Sequence, residues 1–141
     1  MPSGPGTEGR EITSQGDART VFRRALERGN LMLAEVTARE IGIVDLGEAL
    51  ELTALMAQKG DWLRSRRAAA RWLERYIAET SAAIDDAVLA AGCLAALGGR
   101  VHGEALAALR NLTSAAGSRH GVSSDGGRSR LVHGESDTDR S

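Results

Sequence analysis

The amino-acid sequence predicts an all-α domain of about six helices, paired as three antiparallel hairpins. Three observations carry this expectation. Both prolines, Pro2 and Pro5, lie at the start of the chain, so its interior lacks the strongest helix breaker and is loaded with Ala, Leu, Arg and Glu. Apolar residues then recur at helical spacing from Asp17 to Ala116. Finally, Gly29-Asn30-Leu31, Gly60-Asp61-Trp62 and Gly99-Arg100-Val101 each set a glycine, a polar residue and an apolar residue between two such stretches, which marks a tight turn between helices.

Each element follows from its own residues. Asp17 is a plausible N-cap for a first helix carrying Ala18, Val21, Phe22, Ala25 and Leu26 on one side, and Gly29 stops it. Asn30 caps the second helix, with Leu31, Ala34, Ala38 and Ile41 on one face and Met32 and Val36 on another, which predicts neighbours on two sides. Gly42 ends it. Asp45 and Glu48 form a capping box at the start of the third helix, whose stripe is Leu46, Ala49, Leu50, Thr53 and Ala57. Asp61 can accept from the first N–H groups of the fourth helix, after Gly60 has closed the third. On that fourth helix, expected to be the longest, Trp62, Ala69, Leu73, Tyr76 and Ile77 share one face, with Trp72 at its edge. Arg66 interrupts this face, where its stem can lie along a neighbour and its guanidinium can meet a carboxylate or a helix C-terminus. A fifth helix starting near Ser81 or Ala82 puts Asp85 and Asp86 in its first turn, against the positive end of the helix dipole. From Ala87 to Leu97 it carries no charge on any side, a pattern of a helix buried all round. The sixth begins near Val101, with Ala105, Leu106, Leu109 and Leu112 at core spacing. Leu50, Trp62, Leu73, Leu94 and Leu109 sit mid-stripe and are the expected core.

The 141 residues leave room for one domain, expected at 17–116 between polar, Gly- and Ser-rich tails at 1–16 and 117–141 that are expected to be disordered. With only 3% aromatic residues the core must be built of Leu and Ala, which favours close helix packing over a voluminous internal pocket. Eighteen basic and 19 acidic residues give a net charge of −1, against a surface that as a whole seeks nucleic acid or membrane. The uncharged run from Ala87 to Gly99 is shorter than the roughly 20 residues of a membrane span. Cys93 is single, so no intramolecular disulfide forms, and the chain opens without the pattern of a secretory signal. A cytoplasmic setting is expected.

The first hairpin, through Gly29-Asn30-Leu31 with Ala34 and Ala38, resembles the turn and second helix of a tetratricopeptide repeat. The second hairpin has Ser65 at the small-alanine position, and the turns lie 31 and 39 residues apart (Gly29 to Gly60, Gly60 to Gly99) against a repeat of about 34. An irregular stack between tetratricopeptide and HEAT-like repeats is the expected form. The run from Arg24 to Leu73, with Arg28-Gly29-Asn30-Leu31, Ala38-Arg39-Glu40-Ile41-Gly42 and Arg71-Trp72-Leu73, also resembles a group of small bacterial all-α proteins and brings no activity with it. What the repeat resemblance implies is protein–protein interaction on a concave helical surface.

Catalytic, cofactor and metal chemistry find no pattern in the chain. His102, His120 and His133 are scattered, Cys93 lies within an apolar helix, Asp85 and Asp86 diverge by about 100° around theirs, and the glycines form no phosphate-binding fingerprint. A non-enzymatic protein without cofactor is expected. The sharpest functional candidate is the row Arg64, Arg67, Arg71 and Arg75, which clusters on the side of the fourth helix opposite its apolar face. Guanidinium groups one turn apart suit an acidic protein partner or, as the second expectation, the successive phosphates of a nucleic acid or another polyanion. A second copy of the chain is a further expected partner, through apolar surface left open on the hairpin of the last two helices.

Overall fold

Local hydrogen bonds start and stop the helices largely where the side chains predict. The computed structural model describes the backbone of residues 3–118, with side chains from Gly16 onward. It contains α1 (Ser3–Arg28), α2 (Leu31–Ile41), α3 (Leu46–Gln58), α4 (Trp62–Thr80), α5 (Ile84–Ala96) and α6 (102–118), with no strand among the described residues. The fold is therefore all-α. Asn30 Oδ1 accepts from Leu33 N–H at 3.2 Å and begins α2. At the start of α3 the capping box is complete: Asp45 Oδ1 accepts from Glu48 N–H at 2.7 Å, and Glu48 Oε1 accepts from Asp45 N–H at 3.0 Å. Asp61 caps α4, and Gly60, at φ +86°, takes the left-handed conformation that the turn before it requires.

Adjacent helices pair as α1–α2 and α3–α4, and α5 and α6 share a core with the second pair. The α1–α2 pair encloses a small core of Phe22, Ala25 and Ala34. A larger core joins α3 to α6 and contains Leu46, Leu50, Trp72, Tyr76, Leu94 and Leu109 among others. At its centre Trp72 is 1% exposed, donates its indole N–H to Leu46 O at 2.8 Å, and stacks on Tyr76 with ring centroids 5.1 Å apart.

Several expectations shift. The first helix begins at Ser3 rather than at Asp17, which makes α1, at 26 residues, longer than the 19-residue α4. Pro5 lies in its first turn, where a missing N–H breaks no intrahelical bond. At the other end α6 reaches residue 118, and the tail expected beyond lies outside the described residues. Ser81, at φ 52°, closes α4 in a left-handed cap, so α5 starts at Ile84 rather than two or three residues earlier, with Asp85 and Asp86 in its first turn as expected. Met32 and Val36 find no second neighbour and are exposed.

The buried side of α4 is Ser65, Ala68, Trp72 and Tyr76. Trp62, expected in the core, is 63% exposed; Leu73 is half-buried and Ile77 is exposed. The helix is turned by roughly a quarter rotation from the expected orientation, because the large mid-helix pair Trp72 and Tyr76 faces inward while Trp62, at the first position beside the turn, lies beyond the reach of the neighbours. α5 is likewise not enclosed: Ala90, Leu94 and the following Leu97 are buried, while Ile84, Val88 and Leu89 are open.

Two substitutions separate these roles. Trp72→Ala is expected to cost about 3–5 kcal/mol in equilibrium denaturation, and Leu94→Ala about 2–5 kcal/mol. Trp62→Ala, by contrast, is expected to cost less than about 1 kcal/mol, a difference that urea titration of the three variants measures directly.

Candidate functional site

The quarter turn of α4 decides which of its side chains reach solvent. The four arginines of the expected row do remain on its outer side, but they do not act alike. Arg64 donates to Glu35 Oε1 of α2 at 2.6 Å and to Asp61 Oδ2 at 3.2 Å. The hydrogen bond and charge of Glu35, with Asp61 behind them, raise the Arg64 guanidinium above its ordinary value despite partial desolvation. Arg75 donates to Glu79 one turn on, at 2.7 Å. Arg67 and Arg71 are exposed and have no carboxylate partner among the described residues. The row is thus split into two arginines engaged within the chain and two open ones.

The part of the apolar face turned away from the core opens onto a groove of about 460 Å³ between α4 and α5. Its α4 wall includes Trp62, Ala69 and Leu73; its α5 wall is Ala91, Leu94 and Ala95; Thr53 and Ala57 of α3 form the floor. The single charged residue lining it is Arg66. That guanidinium lies over the Trp62 indole, 5.3 Å from the ring centroid, a cation–π contact at the mouth of the groove. The arrangement offers a broad exposed ring, a cation without a carboxylate partner among the described residues, and a largely apolar channel behind them. Sequence reasoning marked Arg66 as an interruption of a packing face; the alternation of a cation within apolar residues was itself the signal of a half-open face.

A larger cleft of about 700 Å³ runs between α1, α3 and α6, with Glu48, Glu51, His102 and Arg110 in its walls. Two of its carboxylates, Glu48 and Glu51, are engaged by arginines. Arg19 donates to Glu48 Oε1 at 2.5 Å and Arg23 lies 3.5 Å from Oε2, while Arg110 grips Glu51 with two bonds at 2.7 and 2.8 Å. Burial pushes the Glu48 carboxyl up, but the bond from Asp45 N–H, the bond and charge of Arg19 and the charge of Arg23 together outweigh it and hold the group below its ordinary value. Arg110 is held above its ordinary value by its bond to Glu51, against some desolvation. Nδ1 of His102 lies 2.5 Å from Leu97 O. His120 and His133 lie outside the described residues, and among the described ones no three His, Cys, Asp or Glu side chains gather as a metal-binding group. No helix among them is long and apolar enough to cross a membrane.

The chain matches no family model, no curated protein and no solved structure.

The Glu48 cluster makes stability pH-dependent with a definite sign. Because its folded-state value lies below the ordinary 4.5, Glu48 contributes stability that is fully present above that value and is lost as pH falls through the folded one. Glu48→Gln is expected to cost about 1–3 kcal/mol at neutral pH and to flatten the loss of stability on acidification. Urea titrations of both proteins between neutral and acid pH check this, and parallel curves would remove Glu48 as the cause.

Proposed function

We propose that this protein is a non-catalytic interaction module that receives an apolar segment of a partner protein in the groove between α4 and α5. The carrying observation is Trp62, a large ring left open beside Arg66 at the mouth of an otherwise uncharged groove. Tryptophan and arginine dominate binding energy at protein interfaces when they sit beside a pocket that excludes water. A helical segment laying apolar side chains at one-turn intervals into such a channel is a common mode of recognition. An acidic residue on that segment would pair with Arg66, and with the unpartnered Arg67 on the next position. The resemblance of the first hairpin to a tetratricopeptide unit, by analogy of fold, favours the same class of partner. We also propose a cytoplasmic setting, in keeping with a sequence whose single cysteine, Cys93, calls for no disulfide within the chain.

A polyanion-binding role draws less support, because Arg64 and Arg75 already neutralise carboxylates of their own chain and only Arg67 and Arg71 of the row remain open. A photo-crosslinking residue at Ala70, which lines the groove, is expected to capture a specific protein in the native host. Binding of that protein should weaken at least tenfold in Trp62→Ala and in Arg66→Glu, with unchanged melting curves, as titration calorimetry would measure. Crosslinking that yields only nucleic acid, with a steep salt dependence abolished in Arg67→Ala/Arg71→Ala, would overturn this reading in favour of a polyanion surface.

A further inference from the structure

The outer side of α5 carries a second feature, independent of the groove it shares with α4. Ile84 is 81% exposed and Val88 66%, and the flank toward α6 forms a shallow apolar depression lined by Val88, Leu89, Gly92, Cys93, Ala96 and Val101. Glu104, on the α6 edge, is the one charged residue lining it. Val88 and Gly92, one turn apart, are exposed and face away from the buried Ala90, Leu94 and Leu97, while Ala96, the next at this interval, is partly buried against the core.

Two observations indicate what covers this face. The first is Gly92. A glycine in the middle of a helix weakens it relative to alanine, and a Cβ placed at Gly92 would meet nothing within 4 Å among the described residues, so no contact among them calls for so small a residue. The absent side chain instead suits the close approach of another backbone from outside. The second is the placement of charge. No charged residue lies between Ala87 and Gly99, yet Asp85 stands just before this run and Arg100 just after it, seven residues before Gly92 and eight after it. Both are exposed, and neither has an ion-pair partner among the described residues. Arg100 stands in the turn after Ala96 that ends α5, so two α5 helices packed antiparallel about a two-fold axis at Gly92 bring the Asp85 end of each copy toward the Arg100 end of the other, and each helix N-terminus toward the other's C-terminus. Parallel packing would bring like charges together at both ends.

We propose that the protein pairs with a second copy of itself through this face, with α5 antiparallel to its symmetry mate and Gly92 at the crossing point. The contact uses the flank of α5 away from the α4 groove, which stays open in the dimer.

Light scattering on the full chain, from micromolar to sub-millimolar concentration, is expected to give twice the chain mass at the upper end and a decrease on dilution. Gly92→Glu should weaken the dimer at least tenfold while leaving the helical circular dichroism intact, because its side chain points into open space in the monomer; Val88→Asp should do the same. Asp85→Arg should weaken the dimer, and adding Arg100→Asp should restore it. Gly92→Cys in a Cys93→Ser chain should form a reducible covalent dimer on mild oxidation, since a two-fold axis at this position brings the two residues within disulfide reach. Trp62→Ala should leave the mass doubled, which separates this contact from the partner groove. A monomer mass across the whole range overturns the proposal, as does a dimer that Gly92→Glu leaves intact, that the charge swap does not restore, or that Gly92→Cys fails to crosslink.

Discussion

Trp72 sets the rotation of α4, and the rotation of α4 sets the surface. The helix has an apolar arc wider than its neighbours can cover, so one part had to turn inward and another outward. Burying Trp72 and Tyr76 side by side removes roughly 300–500 Å² from water, on the order of 10 kcal/mol as an upper bound. The rival orientation would centre the buried side on Trp62, Ala69, Leu73 and Ile77; it would keep Tyr76 inside but leave Trp72 at the edge, without its stacked, hydrogen-bonded place in the core. The indole N–H adds a reason, because its bond to Leu46 O gives a buried donor its partner and ties the middle of α4 to the first residue of α3. With that choice made, Trp62, Arg66 and Leu73 are left to form a groove wall.

The first hairpin meets the second through few apolar residues and several ion pairs. The α1–α2 core is only Phe22, Ala25 and Ala34 with half-buried surroundings, yet two charged contacts fasten this pair to the next: Arg19 and Arg23 reach Glu48 on α3, and Glu35 on α2 reaches Arg64 on α4. On the other side Arg110 of α6 grips Glu51 of α3. Pairs of this kind contribute little each when exposed. Glu48 differs because it is buried, joins a capping box to two arginines, and would leave an uncompensated group if any partner were removed. It links the start of α3 to the position of α1 in one side chain.

The legible parts of the fold were those decided within four residues. Asn30, the Asp45–Glu48 box and the Gly60–Asp61 turn act on the backbone beside them, and a reader of the sequence needs nothing else to place them. The parts decided by distant partners were not legible. Periodicity on α4 shows how wide the apolar arc is but not which segment a neighbour covers, so Trp62 and Trp72 exchanged their expected roles. On α5 the lack of charge suggested burial on all sides. Yet Ala87, Ala90, Ala91, Gly92, Ala95 and Ala96 are uncharged without being large, and small side chains gain little from burial. The start of α1 was hidden for the converse reason, since Gly4, Gly6 and Gly9 lower helix propensity over residues that the backbone nonetheless carries in helical form. Of the functional candidates, the arginine row was visible by spacing alone; Arg66 was visible as well, but its value depends on a groove that no local pattern announces.

Size does not rank the two large depressions; the state of their polar groups does. The cleft between α1, α3 and α6 is the roomier, at about 700 Å³ against about 460 Å³. Of its carboxylates, however, Glu48 and Glu51 each face a guanidinium of the same chain at hydrogen-bond distance and Asp45 caps α3, so a charged ligand engaging any of these three would have to displace a bond already made and leave its former partner unpaired, while Glu27 is exposed. Those contacts describe a seam that holds helices together. In the α4–α5 groove the walls are apolar and the cation at the mouth rests on an aromatic face, a contact that a carboxylate can join without breaking it, since the ring covers one face of the guanidinium plane and its N–H edge stays available. On the proposed reading, apolar surface would supply the driving force there and Arg66 the direction, whereas in the larger cleft Glu48, Glu51 and their arginines are used by the fold itself.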